Sequence, residues 1–314
     1  MTSKNILIFG CHGQDGSLLS KLLLEEGYRV VGLSRNGRYT SENHIKLGIE
    51  KDVELEEGSI SNYKTVSSII EKYKPVSIYN LAGQSSVGKS YSHPDETIQS
   101  IINGTLNILE ATKKLMYPGR IFFAGSSEMF GEIKTKADLS HIQQPTSPYA
   151  IAKQASFNLV KIYRQLYNHN CVTGILFNHE SRLRKKTFVS QKIIQAAKEI
   201  SINKNHRLTM GNIEILRDWG WAEEYVKAMQ IITEAKKPKD QIICTGKACS
   251  LRLFIEKVFS KFDLDWQKYI QIDKKLYRPS DILRSCGDPT QLYKDHLWKA
   301  KIDIEQIIDR MIDS

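Results

Sequence analysis

Long hydrophobic runs are missing from this 314-residue chain. No apolar stretch approaches the roughly 20 residues needed to span a bilayer, so a helical membrane protein is excluded. Residues 1–5 lead straight into a strand-like ILIFG without a signal-peptide cleavage pattern, and a cytoplasmic location is expected. Cysteine is scarce and irregular. The five residues Cys11, Cys171, Cys244, Cys249 and Cys286 match neither a disulfide framework nor a zinc-site spacing, so reduced thiols and no metal are expected. Pro/Gly/Ser-rich linkers and internal repeats are also absent, which favours a second lobe woven back onto the first over one strung beside it. The net charge is +10, yet no basic stripe interleaved with aromatics occurs, only short clusters such as RLRKK at 182–186. Nucleic acid is therefore not the expected partner; a polyanionic small ligand or a solvated Lys-rich surface accounts for the charge.

What is present alternates between two periods. Strand-like runs at 5–10, 28–34, 53–58, 76–83 and 119–127 are separated by helical spacing at 17–27, 65–75 and 95–117. Such β-α-β alternation predicts an α/β fold, a Rossmann-type doubly wound parallel sheet with helices on both faces. Beyond about residue 170 the pattern loosens, with a strand at 171–178 and helices at 187–200 and 225–235. The expected division is a nucleotide-binding domain over 1–170, rejoined by 217–245, and a smaller substrate lobe from 171–216 and 246–314.

Three local patterns carry chemistry. Gly10, Gly13 and Gly16 form a GxxGxxG turn between a strand and a helix. Glycines there allow a tight turn and close approach of a pyrophosphate, and the helix offers free N–H groups. The second strand ends in Ser34-Arg35-Asn36-Gly37-Arg38 without a carboxylate, which favours NADP over NAD. Tyr149 and Lys153 stand four apart in SPYAIAK, on one helix face, where the ammonium draws the phenol toward working pH. Tyr149 then serves as general base on a hydroxyl whose carbon gives up hydride. Ser126, at the end of the 119–127 strand, is placed to hydrogen-bond that hydroxyl, and Glu128 is a candidate acid/base.

The set FGCHGQDGS (9–17), NLAGQSSV (80–87), SSEMFG (126–131), SPYAIAK (147–153), FNHES (177–181), TFVSQK (187–192), RDWG (217–220) and RPSDI (278–282) resembles the GDP-mannose 4,6-dehydratases over nearly the whole chain. NHES and RDWG are its most specific parts. The resemblance implies Ser126, Glu128, Tyr149 and Lys153 as catalytic. It implies Gly10, Gly13, Gln14, Asp15, Gly16, Arg35, Leu81, Ala82, Gln84, Ser85, His179 and Arg184 at the cofactor, along with Tyr149 and Lys153. Ser86, Asn178, Val189, Lys192, Arg217, Arg278 and Asp281 are implied at the substrate. This sequence departs from the family pattern at Ser59, Ser86, Glu96, Arg182-Leu183, Leu283 and Arg284.

The implied reaction converts a GDP-linked mannose-type sugar to its 4-keto-6-deoxy form with NADP. The implied assembly is a homodimer or homotetramer, with subunits meeting near the 35–45 loop. A GDP-sugar C4 dehydrogenase or epimerase on the same scaffold is the alternative, and a non-catalytic NADP sensor is a further one. Glu128 argues against the epimerase, and the intact catalytic set against the sensor.

Overall fold

The computed structural model describes residues 4–35, 41–278 and 280–313. Asn36, Gly37 and Arg38 of the second-strand reading, and Pro279 of RPSDI, lie outside the described residues.

The main sheet contains β1 (Asn5–Phe9), β2 (Arg29–Ser34), β3 (Glu54–Glu57), β4 (Ser77–Asn80), β5 (Arg120–Ser126) and β6 (Cys171–Leu176). A second, four-stranded sheet contains β7 (Asn178–Glu180) and β9 (Leu216–Trp221), and a small pair begins with β8 (Leu208–Met210). β10 (Gln241–Ile243) then returns to the edge of the main sheet. β11 (Ala248–Ser250) and β13 (Arg284–Ser285) flank β9, and β12 (Ile270–Ile272) pairs β8. The main order is β10-β6-β5-β4-β1-β2-β3, with every pairing parallel. Chain order reverses between β1 and β4, and ligands of such sheets bind in the crevice at that switch point.

Period-two alternation builds two cores from the same strand. In β1, Ile6 and Ile8 face a core that takes Leu18, Leu19 and Leu23 from helix Gln14–Glu25 and Tyr225, Val226 and Met229 from helix Ala222–Glu234. Leu7 and Phe9 face the opposite core, which takes Ile69 and Ile70 from helix Tyr63–Tyr73 and Ile108 and Leu109 from helix Gly104–Lys114. Both faces are therefore covered, as a parallel sheet requires.

A third core joins helix Val189–Ile202, Trp219 and Trp221 of β9, helix Leu251–Ser260 and helix Ile304–Ile312. The weave differs in detail from the expected division. Residues 217–221 stay with this lobe as β9, because Trp219 and Trp221 bury in its core; the return to the main sheet begins at Ala222. Leu292 and Trp298, expected in the second lobe, pack in the first core.

The helix expected over 95–117 is also not uniform. Pro94–Ile98 passes into a π-helical turn, Gln99–Asn103, before Gly104–Lys114. The extra residue per turn lets Ser100 Oγ accept from Gln84 N–H at 3.3 Å and sets Ile101 under Gly83. No helix among the described residues is long and apolar enough to cross a membrane, and all five cysteines are free thiols.

Candidate active site

The Gly-rich turn is fixed by backbone crowding. Gly10 has φ +86°, and a Cβ there would stand 2.7 Å from Leu81 and Ala82 backbone atoms at the end of β4. A Cβ on Gly16 would fall 2.2 Å from Gly10 O, so helix and turn touch backbone to backbone. Gly13 begins helix Gln14–Glu25 with no side-chain cap, which leaves first-turn N–H groups for an anion.

Asp15, in that first turn, faces the other lobe. His179 Nε2 lies 3.0 Å from its carboxylate, and Gln14 Nε2 donates to it at 3.0 Å. His179 is held in turn by Phe177 O at 2.7 Å and by stacking on Tyr225, with ring centroids 4.6 Å apart. Burial pushes the Asp15 carboxyl up, but the His179 charge and the hydrogen bonds of His179 and Gln14 outweigh it and hold it at about 2. Burial likewise opposes the charge on His179, and Asp15 outweighs it, so the imidazole is raised above its ordinary value.

This pair makes stability depend on pH. The Asp15 part is fully present above the ordinary value of 3.8 and is lost as pH falls through about 2. The His179 part is present below 6.5 and is lost as pH rises through its raised value. Urea unfolding of Asp15→Asn, followed against pH, should lose on the order of 2 kcal/mol of acid-side dependence. A variant whose pH curve overlays wild type contradicts the pairing.

The reactive groups sit where β5 ends. Ser147 caps helix Pro148–Tyr167 by accepting from Ala150 N–H at 3.1 Å, and Pro148 suits the first turn. Tyr149 and Lys153 are thereby both buried on the face toward β5. Lys153 Nζ donates to Ala124 O at 2.9 Å, and the Ser126 hydroxyl shares a hydrogen bond with Tyr149. Burial pushes Lys153 down to about 8, with Asp15 acting against it.

The expectation that Lys153 draws the phenol down is not met in the chain alone. Burial pushes Tyr149 up to about 12, against the Ser126 hydrogen bond, and Lys153 Nζ lies 5.8 Å from the ring centroid. Burial also raises Glu128, opposed by the charges of Arg217 and Arg278.

A cavity of about 490 Å³ joins the two lobes and gathers most of the expected residues. Ser126, Glu128, Tyr149 and Lys153 line it, with Asp15, Leu81, Ala82, Gln84, Ser85, His179 and Arg184. Asn178, Val189, Lys192, Arg217, Arg278, Asp281 and Ser86 line it too. Lys192 and Arg278 are exposed, whereas Arg217 is buried, its guanidinium donating to Ile282 O at 2.8 Å.

Gly10, Gly13, Gln14 and Gly16 do not line the cavity. They form the turn behind Asp15, and Gln14 is a strut to Ser181, whose hydroxyl donates to it at 2.9 Å. Arg35 stands apart as well: its side chain is 73% exposed and lies 3.8 Å from Glu96, which also pairs Lys89 at 2.7 Å. Ser86 caps helix Val87–Ser92 through Lys89 N–H. Arg184 pairs Glu180 at 3.2 Å and covers the Phe188 ring at 3.8 Å.

Sequence reasoning missed Phe188, Met210, Gly211, Asn212 and Leu276, which line the cavity from the second lobe. It also missed Asp218, which is fully buried and accepts from Thr245 Oγ1 at 2.6 Å and from Thr245 and Gly246 N–H at 2.9 Å. That carboxylate ties β9 to the 245–246 loop and so fixes Arg217 beside it. The RDWG segment was its only signal.

A family model described as GDP-mannose 4,6 dehydratase matches residues 7–311. GDP-mannose 4,6 dehydratase 1 of Arabidopsis thaliana is 34% identical over 321 residues, covering 99% of this chain and 89% of that protein. The Homo sapiens GDP-mannose 4,6 dehydratase is 32% identical over 333 residues, covering 98% and 90%. Among solved structures, the UDP-glucose 4-epimerase of Thermotoga maritima aligns with TM-score 0.87 at 21% identity, covering 98% of this chain and 97% of that one. The dTDP-glucose 4,6-dehydratase of Bacillus anthracis aligns with TM-score 0.86 at 17% identity, covering 99% and 96%. These two share the fold; the full-length match to the family model and to its relatives is more specific, and by it this chain belongs to the GDP-mannose 4,6-dehydratase family.

Proposed function

We propose that this protein is a GDP-sugar 4,6-dehydratase, a hydro-lyase that takes a GDP-linked mannose-type sugar to its 4-keto-6-deoxy form. The observation that carries the reading is Glu128 in one cavity with Ser126, Tyr149 and Lys153. A C4 epimerase or dehydrogenase needs the last three but has no use for a carboxyl group at C5.

The residues fit a nicotinamide dinucleotide. The uncapped helix start at Gly13 suits a diphosphate, and the crowded Gly10 and Gly16 let the chain pass close beneath it. Structural neighbours bind NAD, for example the UDP-glucose 4-epimerase of Thermus thermophilus, solved in complex with it. A bound nicotinamide dinucleotide would supply reversible hydride transfer, and the positive charge of its oxidised ring would favour the Tyr149 phenolate.

Tyr149 removes the C4 hydroxyl proton, and Ser126 orients that hydroxyl through the hydrogen bond it shares with Tyr149. The C4 ketone acidifies C5–H, and Glu128 takes that proton. Water leaves C6 carrying a proton from the same carboxyl group, whose raised pKa suits both directions of transfer. Arg217, Arg278 and Lys192 hold the substrate diphosphate by charge-assisted hydrogen bonds.

NADP is the proposed form of the cofactor, with Arg35 receiving the 2′-phosphate. Arg35 and Lys89 share one carboxylate, Glu96, leaving a net positive cluster at the end of β2. Arg35→Ala should weaken NADP binding about tenfold and leave NAD nearly unchanged, as fluorescence titration of both would read. Equal loss for both dinucleotides contradicts an adenosine-phosphate role.

A second copy of the chain is the proposed partner, as homodimer or homotetramer, and the exposed Ile151, Ile162 and Leu166 of helix Pro148–Tyr167 offer it apolar surface. The cytoplasm is the proposed location.

The test is mass spectrometry of products from GDP-, UDP-, CDP- and dTDP-hexoses. Loss of one water from a GDP-hexose alone is expected; turnover without loss of water contradicts the dehydratase.

A further inference from the structure

Three side chains that the proposed reaction leaves unused converge beside the Gly-rich turn. One ligating atom from each of Cys11, His12 and His44 lies within 4.8 Å of the others. Cys11 and His12 belong to the turn after β1, and His44 to helix Glu42–Leu47. The Asn43 side chain donates to His12 O at 3.1 Å, which fastens that helix against the turn. The two imidazoles meet edge to face with centroids 5.1 Å apart.

The nitrogens are left open. His44 is fully buried, and its Nε2 lies 3.0 Å from Cys11 O, where it is the donor. Nδ1 then carries the free lone pair. This buried atom has no hydrogen-bond partner among the described residues, and neither has His12 Nε2. A buried polar atom without a partner is rare in a native fold and calls for an occupant. A metal-ligating histidine ordinarily donates its second ring nitrogen to a backbone carbonyl, as His44 does to Cys11 O.

We propose that Cys11, His12 and His44 form a binding site for a Zn²⁺-class cation. A thiolate with two imidazoles suits a borderline-soft, tetrahedral ion and leaves the fourth position to solvent. On binding, the Cys11 S–H bond breaks, its proton passes to solvent and a sulfur–metal bond forms, with no change of oxidation state. The cation ties the turn between Gly10 and Gly13 to helix Glu42–Leu47. Cysteine spacing along the chain gave no hint of this, because the third ligand is a histidine on a separate element.

Co²⁺ added to the metal-free, full-length protein tests it. One equivalent is expected to bind with a thiolate-to-metal charge-transfer absorption that Zn²⁺ displaces. Cys11→Ser should abolish that absorption, and His12→Gln should weaken Co²⁺ binding at least about tenfold. His12 is only partly buried, so its variant keeps the core intact and guards against a folding defect in the Cys11 variant. The proposal is overturned if wild type shows no charge-transfer absorption, if the absorption survives in Cys11→Ser, or if folded His12→Gln binds as wild type does.

Discussion

Replacing Tyr149 by Phe lowers kcat by about 10²–10⁴-fold, the usual contribution of a positioned acid/base, while fold and dinucleotide affinity stay nearly unchanged. Only the hydroxyl is removed, and the ring keeps its buried place on helix Pro148–Tyr167. Burial raises the Tyr149 phenol to about 12 and lowers Lys153 to about 8, so the chain alone keeps the proton on Tyr149 at neutral pH. Further positive charge beside the phenol, such as an oxidised nicotinamide would supply, favours the phenolate. Steady-state kinetics with a GDP-sugar and a parallel dinucleotide titration check this. A Tyr149→Phe enzyme with wild-type kcat contradicts the assignment.

Glu128→Gln separates the two halves of the reaction. C4 oxidation still proceeds, but C5–H is not removed, so reduced cofactor accumulates toward about one equivalent while product formation falls by about 10²–10⁴-fold. Glutamine keeps the shape of the side chain and removes only its capacity to take a proton, with Arg217 and Arg278 left in place beside it. Rapid-mixing absorbance of the reduced nicotinamide and exchange of the C5 hydrogen with deuterated water report it. Unimpaired dehydration in this variant assigns the base elsewhere.

These effects rest on residues that were legible before the structure, and the reason is local. Strand runs and helical spacing are short-range signals, so the β-α-β alternation gave a parallel sheet covered on both faces, and the spacing of Tyr149 and Lys153 gave their common side. The π-helical turn at Gln99–Asn103 was not legible, because helical apolar spacing does not mark it and its contact with the Gln84 backbone is long-range.

The Asp15–His179 pair joins opposite lobes, and no period in either segment announces it. Asp218 was hidden for a like reason: its partners Thr245 and Gly246 come from another loop. Spacing alone gave Tyr149/Lys153 and the glycine turn. The residues implied at the substrate came from resemblance, and they line one cavity with Ser126, Glu128, Tyr149 and Lys153. Arg35 illustrates the converse: its position just after β2 was read from sequence, but the Glu96 carboxylate facing it was not foreseen as its partner.

The proposed reaction moves hydride from C4 to C6 of one sugar, with loss of water between. Turnover of GDP-mannose deuterated at C4 tests it most directly. The dehydrated product is expected to carry the deuterium at C6, as NMR and mass spectrometry would read. Deuterium still at C4 in a product that has lost no water, or washed out into the cofactor pool, would contradict it.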